Sequence, residues 1–315
     1  MPIKVPDRSP AEAALRQEGV EVIPDATALR QDIRPLRILL LNLMPAKIAT
    51  EVQIARLLSH TPLQIELNLL TTATYQPRNT PFEHLKAFYR TLDEVKDERF
   101  DGLIVTGAPV ETLPFEKVDY WAELKEILAW SRTNVFRRFG ICWGGQALLY
   151  VDHGVEKIYH PEKLFGVFEQ RVLAPRSELM RGFPDSFPTP VSRWTGVDPV
   201  GVAANSDLRI LAQSAQTGIG LVEHVPTGDV FCFNHLEYDT ETLRKEFARD
   251  VSLDPATPLP HNYFPADSAA ADPANTWRAY GYLMFWNWIT TLYRDTVFDL
   301  DTLSPRPEND WGAGI

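Results

Sequence analysis

The chain has 315 residues, of which 44% are hydrophobic and 23% are charged, and its formal net charge is -11 at pH 7. A chain of this length and composition can bury a large apolar core, so it needs neither a disulfide framework nor a structural metal to fold. The negative charge offers no basic field for a nucleic-acid backbone, and no apolar run reaches the roughly 18 residues that a membrane span requires. Together with only two cysteines, these features favour a cytoplasmic protein without nucleic-acid or membrane partners.

Alternating strand and helix patterns predict an α/β fold in the first half of the chain. We predict that residues 1–35, which lack a long periodic pattern, form an arm or cover on a single α/β domain over residues 36–315. The apolar run Arg37 to Leu43 predicts a strand buried on both faces, and Thr50 with Gln53 suggests a capping box for the helix that follows. Further strands, with helices between them, are predicted at Gln64 to Leu70, Phe100 to Thr106 and Val135 to Ile141. A doubly wound, mostly parallel sheet is the simplest assembly.

Short strands separated by turn residues are predicted in the second half, and we expect hairpins there. These strands are Val167 to Leu173, Val200 to Ala204, Arg209 to Ser214, Gly218 to Val225 and Asp229 to Phe233. Helices are predicted over Glu241 to Val251 and over Thr276 to Arg294, where the many aromatic residues indicate core or a subunit contact. No phosphate loop, dinucleotide fingerprint or metal-ligand spacing occurs, so no bound cofactor or metal is expected.

The pentapeptide GICWG at residues 140–144 follows the predicted strand Val135 to Ile141 and has the pattern of a nucleophile elbow with a cysteine at its apex. Cys142 would lie at the start of the next helix, where unpaired backbone N–H groups and the helix dipole lower the pKa of a thiol. The pattern predicts covalent acyl transfer through Cys142. A buried structural cysteine between packing glycines is the alternative.

A base for this nucleophile is predicted at the end of the strand Asp229 to Phe233. His235 is followed by Glu237, and residues i and i+2 share a face of extended chain. Glu237 would therefore orient the His235 imidazole, whose other nitrogen would deprotonate Cys142. The other histidines lack such a context.

Several longer motifs carry a resemblance to a known family. They are MPIKVP at the amino terminus, LLLNLMPAK at residues 39–47, DGLIVTGAP at 101–109, CW at 142–143, EKL at 162–164, HLEYD at 235–239 and NYFP at 262–265. Over nearly the whole chain, they resemble the homoserine O-acyltransferases of the MetA type. The resemblance implies a flavodoxin-like fold of the class I glutamine amidotransferase type, a homodimer, and a role in methionine biosynthesis.

The resemblance also implies roles for individual residues. Cys142 matches the acyl-thioester nucleophile, His235 the base and Glu237 the orienting acid of a ping-pong reaction. For the oxyanion, the backbone N–H of Trp143 is one expected donor, and the loop around Lys47 is the other. The positions that match substrate-binding residues of the family are Lys163, Ser192 and Arg249.

The residue at position 111 is associated with acyl-donor choice in this family, glycine accompanying succinyl-CoA and glutamate accompanying acetyl-CoA. Glu111 therefore favours acetyl-CoA as the co-substrate, because a carboxylate fills space and repels the free carboxylate of a succinyl group. The alternatives are a homoserine O-succinyltransferase, a serine O-acetyltransferase and a glutamine amidotransferase. The last is disfavoured because the chain has no synthetase domain to receive ammonia.

Overall fold

The computed structural model describes residues 34–74 and 80–305, together with the backbone of two short strands, β1 (Ile3–Val5) and β2 (Val22–Pro24). These two strands pair in parallel with each other. The rest of the predicted arm up to residue 33 lies outside the described residues. Among the described helices, none has the length and apolar content that a bilayer-crossing segment requires.

A ten-stranded sheet forms the centre of the described part of the chain, in the order β5-β4-β3-β6-β7-β12-β11-β10-β8-β9. The strands from β5 to β12 in this order run parallel, and the remaining four are antiparallel. The predicted α/β fold with a mostly parallel sheet is confirmed. The parallel strands are β3 (Leu36–Leu41), β4 (Ile65–Leu70), β5 (Tyr89–Arg90), β6 (Phe100–Val105), β7 (Val135–Ile141) and β12 (Asp229–Cys232). The antiparallel strands are β8 (Lys157–Val172), β9 (Ser186–Val197), β10 (Leu208–Ser214) and β11 (Gly218–His224).

Helices cover both faces of the sheet, and the sheet separates the hydrophobic core into two parts. Successive residues of a strand point to opposite faces, so Leu40 of β3 packs in one core and Leu41 in the other. Helices α1 and α8 contribute to the first core, and α4 and α5 contribute to the second. The described helices are α1 (Lys47–Leu58), α2 (Phe82–Phe88), α3 (Leu92–Val95), α4 (Trp121–Asn134), α5 (Trp143–His153), α6 (Pro199–Ala204), α7 (Thr242–Leu253) and α8 (Arg278–Asp295).

Two local predictions are wrong. The segment Val200 to Ala204 is part of helix α6, because the Asp198 side chain accepts hydrogen bonds from the backbone N–H groups of Val200 and Gly201 and caps the helix. The predicted capping box of Thr50 and Gln53 does not form, since α1 already begins at Lys47 and both residues lie inside it. In each case the residue at which the helix begins determines the secondary structure of the segment. The β-branched residues inside the helix do not prevent it from forming.

Strand β9 is absent from the sequence-based prediction because Pro188 and Pro190 interrupt its pattern. The structure places β9 at the end of the sheet order, where β8 is its one neighbour among the described strands. An edge strand tolerates proline because the missing N–H need not serve a second neighbour. Two residues that matter for the site described below, Ser192 and Thr195, lie on this strand.

The backbone turns sharply between β7 and α5, and Cys142 lies at the apex with φ 50° and ψ -121°. A residue with a Cβ is disfavoured at positive φ, so this turn is strained. Hydrogen bonds hold it in place. The Cys142 N–H donates to the Cys232 carbonyl at 2.7 Å, and the Cys142 carbonyl accepts from the Gln146 N–H at 3.1 Å. The predicted elbow is therefore present in the backbone.

Two glycines allow this turn to pack against the sheet. A Cβ at Gly140 would lie 2.5 Å from the Cα of Gly145, and a Cβ at Gly144 would lie 2.4 Å from the carbonyl oxygen of Thr106. Both neighbours are backbone atoms, which cannot rotate away. The pattern Gly-x-Cys-x-Gly is thus a requirement of close packing at this corner.

We expect Gly144→Ala to lower the free energy of unfolding by roughly 3 kcal/mol, as for overpacked cores. Alanine is intrinsically the better helix residue, so the loss reports the clash with Thr106. Urea-induced unfolding of the wild type and the variant measures this difference in stability. Gly154→Ala is the matched control, because Gly154 has φ 64° but nothing within 4 Å of an added Cβ, and it should cost only about 1 kcal/mol. A Gly144→Ala protein as stable as the wild type would contradict the packing argument.

The strain at Cys142 predicts that Cys142→Gly is more stable than Cys142→Ala by about 1 kcal/mol, because glycine accepts positive φ without a steric penalty. Thermal unfolding of the two variants gives the comparison. At Cys232, which is buried within β12, the same pair of substitutions should give the opposite order, since glycine weakens a strand. Equal stability of the two Cys142 variants would show that the turn is unstrained.

Candidate active site

His235 and Glu237 lie in the turn that follows β12, so the predicted extended chain at this point is wrong. The Tyr238 N–H donates to the His235 carbonyl at 3.3 Å and closes the turn. Within it, His235 Nδ1 and Glu237 Oε1 are 2.6 Å apart, and both side chains are more than nine-tenths buried. The turn therefore produces the contact between imidazole and carboxylate that was predicted for an extended strand.

The imidazole of His235 is held from several sides. Its backbone N–H donates to the Pro190 carbonyl of β9 at 2.9 Å, and its ring stacks on Tyr238 with 4.2 Å between ring centroids. Because Nδ1 is engaged by Glu237, Nε2 is the nitrogen left to face another group. Ring orientation is thus fixed before any substrate binds.

The side chains of His235 and Cys142 are close neighbours. Burial disfavours the charged imidazole, but the Glu237 carboxylate and the Cys142 sulfur outweigh it and hold the pKa of His235 well above its usual range. A histidine with a raised pKa beside a thiol can take the thiol proton and stabilise the resulting thiolate. The structure therefore brings Cys142, His235 and Glu237 together in one buried cluster.

The backbone around the Cys142 sulfur includes two groups suited to an oxyanion. Trp143 is the first residue of α5, so its N–H has no acceptor within the helix, and its side chain is fully buried. Gly107, in the loop after β6, is also close to the cysteine, because a Cβ built there would lie 3.3 Å from Cys142 Cβ and 3.9 Å from Sγ. Sequence reasoning did not select Gly107, since its neighbourhood with Cys142 depends on the pairing of β6 with β7.

Lys47 lies at the same carboxyl edge of the sheet, as the first residue of α1. Its side chain is buried, and its ammonium group donates to the Asn42 carbonyl and lies 5.3 Å from the centre of the Tyr89 ring. Burial lowers the pKa of Lys47 to about 8, although Glu51 acts in the opposite direction. Lys47 is thus a partly desolvated cation that contacts Asn42 after β3 and the Tyr89 ring of β5, and its part in binding the oxyanion stays a prediction.

The side chain of Glu111 rests on the backbone of β9. Its Oε2 accepts hydrogen bonds from the N–H groups of Trp194 and Thr195 at 3.0 and 3.3 Å and from the Thr195 hydroxyl at 3.1 Å. Arg193, the preceding residue of this strand, is fully buried, and both Glu111 and Cys142 act electrostatically on its guanidinium. Glu111 therefore lies on the cysteine side of β9.

The three predicted substrate-binding residues belong to one polar network on α7, β8 and β9. Lys163 Nζ is 2.7 Å from Asp250 Oδ2, and the Ser192 hydroxyl donates to Glu246. Arg249 pairs with Asp250 at 2.7 Å, with more than half of its side chain exposed. Lys163 and Ser192 are thus close neighbours, and Arg249 lies at the rim of the same network.

Sequence reasoning missed the residue at the centre of this network. The Glu246 carboxylate accepts hydrogen bonds from Ser192 and from the Tyr238 hydroxyl, the latter at 2.7 Å, and it lies 3.9 Å from Lys163 Nζ. Because the Tyr238 ring stacks on the His235 imidazole, the bond between Glu246 and Tyr238 connects this network to His235. Its only sequence signal was a position on the same helix as Arg249, one turn earlier.

Known proteins resemble this chain in sequence and in fold. The family model described as homoserine O-succinyltransferase matches residues 2–298. Proteins named homoserine O-acetyltransferase from Brucella canis and Brucella suis are each 48% identical over 303 residues, covering 96% of this chain and 99% of the relative. Among solved structures, a glutamine amidotransferase from Methylobacillus flagellatus has a TM-score of 0.56 at 14% identity, covering 85% of this chain and 99% of that chain.

The structural likeness shows the fold alone, and it confirms the predicted class I glutamine amidotransferase-like architecture. The sequence matches confirm the resemblance that the motifs suggested, while the family model and the relatives carry the names of different acyl donors. The chain therefore belongs to the homoserine O-succinyltransferase family and is a homoserine O-acyltransferase.

Proposed function

We propose that this protein is a homoserine O-acetyltransferase of methionine biosynthesis, which transfers an acetyl group from acetyl-CoA to homoserine through a thioester on Cys142. The observation that supports this mechanism is that the buried His235 imidazole lies beside Cys142 and contacts Glu237. As the family resemblance implies, the enzyme works as a homodimer in the cytoplasm. It uses acetyl-CoA as a co-substrate and no bound cofactor.

In the first half-reaction, the Cys142 thiolate attacks the carbonyl carbon of the acyl-CoA thioester. The negative charge moves to the carbonyl oxygen, where the backbone N–H groups of Trp143 and Gly107 would stabilise it. The CoA sulfur then leaves with the proton that the His235 imidazolium carries, and an acyl-Cys142 thioester remains. Because one thioester replaces another, the step is nearly isoenergetic, and the enzyme mainly has to orient the reactants.

In the second half-reaction, His235 is a neutral base and takes the proton from the hydroxyl of homoserine. The hydroxyl oxygen attacks the thioester carbonyl, and the Cys142 sulfur leaves as a thiolate. The product is an acyl ester of homoserine, and the initial pair of imidazolium and thiolate is restored. Glu237 keeps the imidazole oriented and stabilises its positive charge in both halves.

The polar network beside Tyr238 has charges that suit an amino acid. The exposed guanidinium of Arg249 can form a bidentate pair with the carboxylate of homoserine once it exchanges partners with Asp250. Glu246 offers a carboxylate for the ammonium group, with Lys163 and Ser192 on either side of it. Stacking of Tyr238 on His235 would bring the hydroxyl of such a ligand toward the base.

Two findings support acetyl over succinyl as the acyl group. Glu111 is present, and its carboxylate lies on the side of β9 that faces the Arg193 guanidinium and Cys142. A fixed carboxylate near the acyl site repels the free carboxylate of a succinyl group but not a neutral acetyl group. The 48% identical relatives are named as acetyltransferases, whereas the name of the family model favours succinyl-CoA.

The test is CoA release from acetyl-CoA or succinyl-CoA, with homoserine or serine as the acceptor. We expect fast release only with acetyl-CoA and homoserine, and its loss in Cys142→Ala. Glu111→Gly should admit succinyl-CoA. Preference of the wild type for succinyl-CoA would contradict the Glu111 argument and the acetyl donor, but it would leave acyl transfer through Cys142 standing. Glutamine hydrolysis without acyl transfer from either donor would contradict the proposed activity.

The raised pKa of His235 predicts a pH dependence for acyl transfer to homoserine. The base must be neutral, so the rate falls as pH decreases through that pKa. In the acyl-enzyme the sulfur is uncharged, and Glu237 remains to raise the pKa. Glu237→Gln should therefore move the acidic limb of the rate profile to lower pH and reduce the plateau rate by roughly 10²- to 10⁴-fold.

The control for this profile is Glu223→Gln. Glu223 lies on β11, and its carboxylate pairs with Arg209 on β10. Its acidic limb should coincide with that of the wild type. A limb in Glu237→Gln that stays in place or moves to higher pH would show that Glu237 does not stabilise the imidazolium.

A further inference from the structure

We propose that Thr195 is a second residue that determines acyl-donor specificity, because it fixes the position of the Glu111 carboxylate. This inference rests on the proposed function, in which Glu111 rejects succinyl-CoA. Thr195 is a positioning residue in this proposal, since it acts through Glu111 and does not itself contact the acyl group.

The hydrogen bonds that hold the Glu111 carboxylate involve one of its two oxygens. All three of its carboxylate hydrogen bonds end on Oε2, and the donors are the Trp194 N–H, the Thr195 N–H and the Thr195 hydroxyl. Thr195 has no exposed surface. Hydrogen bonds to an ionised group are the stronger kind, and the two from Thr195 are partly shielded from water. One residue thus supplies two of the three bonds, and one of these comes from its side chain.

Thr195 also connects this carboxylate to the turn that holds Cys142. Its hydroxyl can donate its one proton either to Glu111 Oε2 or to Gln146 Oε1, which is 3.0 Å away, and Gln146 Nε2 donates to the Thr195 carbonyl at 3.3 Å. The Gln146 backbone N–H donates in turn to the Cys142 carbonyl at 3.1 Å. A continuous series of short contacts therefore sets the Glu111 carboxylate at a defined place relative to the nucleophile.

The main chain around Glu111 is held independently of Thr195. Lys157 Nζ donates to the Glu111 carbonyl at 2.7 Å and to the Leu113 carbonyl, and it lies 4.5 Å from the centre of the Phe115 ring. Loss of the Thr195 hydroxyl should leave these bonds in place. The substitution therefore changes the direction and mobility of the carboxylate and leaves the loop that carries it in position.

A carboxylate that can move away from its site repels a succinyl group less effectively, because the repulsion falls with distance and with exposure to water. We therefore expect Thr195→Val to raise the ratio of kcat/KM for succinyl-CoA to that for acetyl-CoA roughly tenfold, as for loss of a hydrogen bond to a charged group. The change should lie mainly in KM for succinyl-CoA. Thr195→Ser, which keeps the hydroxyl, should retain the wild-type ratio.

The experiment measures this ratio in the wild type, Thr195→Val, Thr195→Ser, Glu111→Gly and the double variant of Thr195→Val with Glu111→Gly. If Thr195 acts through Glu111, the double variant has the same ratio as Glu111→Gly alone, which a general structural effect would not produce. Thermal unfolding checks that each variant folds. Thr195→Ala takes the place of Thr195→Val if the latter does not, since it also lacks the hydroxyl.

An unchanged ratio in Thr195→Val, in an enzyme that transfers acetyl groups to homoserine, would overturn this inference and leave the proposed function standing. An equal rise in Thr195→Ser, or a further rise in the double variant beyond Glu111→Gly, would overturn it as well. A wild-type protein without acyl transfer from acetyl-CoA would instead reject the proposed function, and this inference with it.

Discussion

The strained turn at Cys142 determines where every other group of the site has to lie. Its backbone is fixed by the carbonyl of Cys232 on one side and by the first turn of α5 on the other. Gly140 and Gly144 let helix and sheet approach closely enough for this to happen. The sulfur is thereby held at the carboxyl edge of the parallel strands, where loops from β3, β6 and β12 can reach it. Strain at this position is retained because the surrounding hydrogen bonds leave the chain no alternative.

The turn after β12 holds the proposed base and links it to the proposed acceptor site. It places His235 against Cys142 and Glu237, and it stacks Tyr238 on the imidazole. Tyr238 then reaches Glu246 on α7. The base and the polar network for an amino acid are thus parts of one rigid arrangement. Strand β9 contributes to both parts of the site, because Ser192 contacts Glu246 and the backbone N–H groups of Trp194 and Thr195 hold Glu111.

Features that depend on neighbouring residues could be predicted from the sequence, whereas those that depend on distant partners could not. Strands β3 and β6 are mostly apolar, because both of their faces are buried, whereas β7 also contains Arg137 and Arg138. His235 and Glu237 are two residues apart, so their contact needs only a local turn. In contrast, Thr195 meets Glu111 across 84 residues, and Ser192 meets Glu246 across 54. The edge position that permits the prolines of β9 is likewise a property of the sheet, which local sequence patterns do not reveal.

The most direct test of the account is the mass of the intact protein after brief exposure to acetyl-CoA in the absence of homoserine, followed by peptide mapping. A thioester mechanism through Cys142 predicts one acetyl group on the peptide that contains Cys142, none in Cys142→Ala, and discharge of the adduct when homoserine is added. An acetyl group on any other residue, or acetyl transfer to homoserine by Cys142→Ala, would contradict the thioester mechanism on which the rest of the interpretation depends.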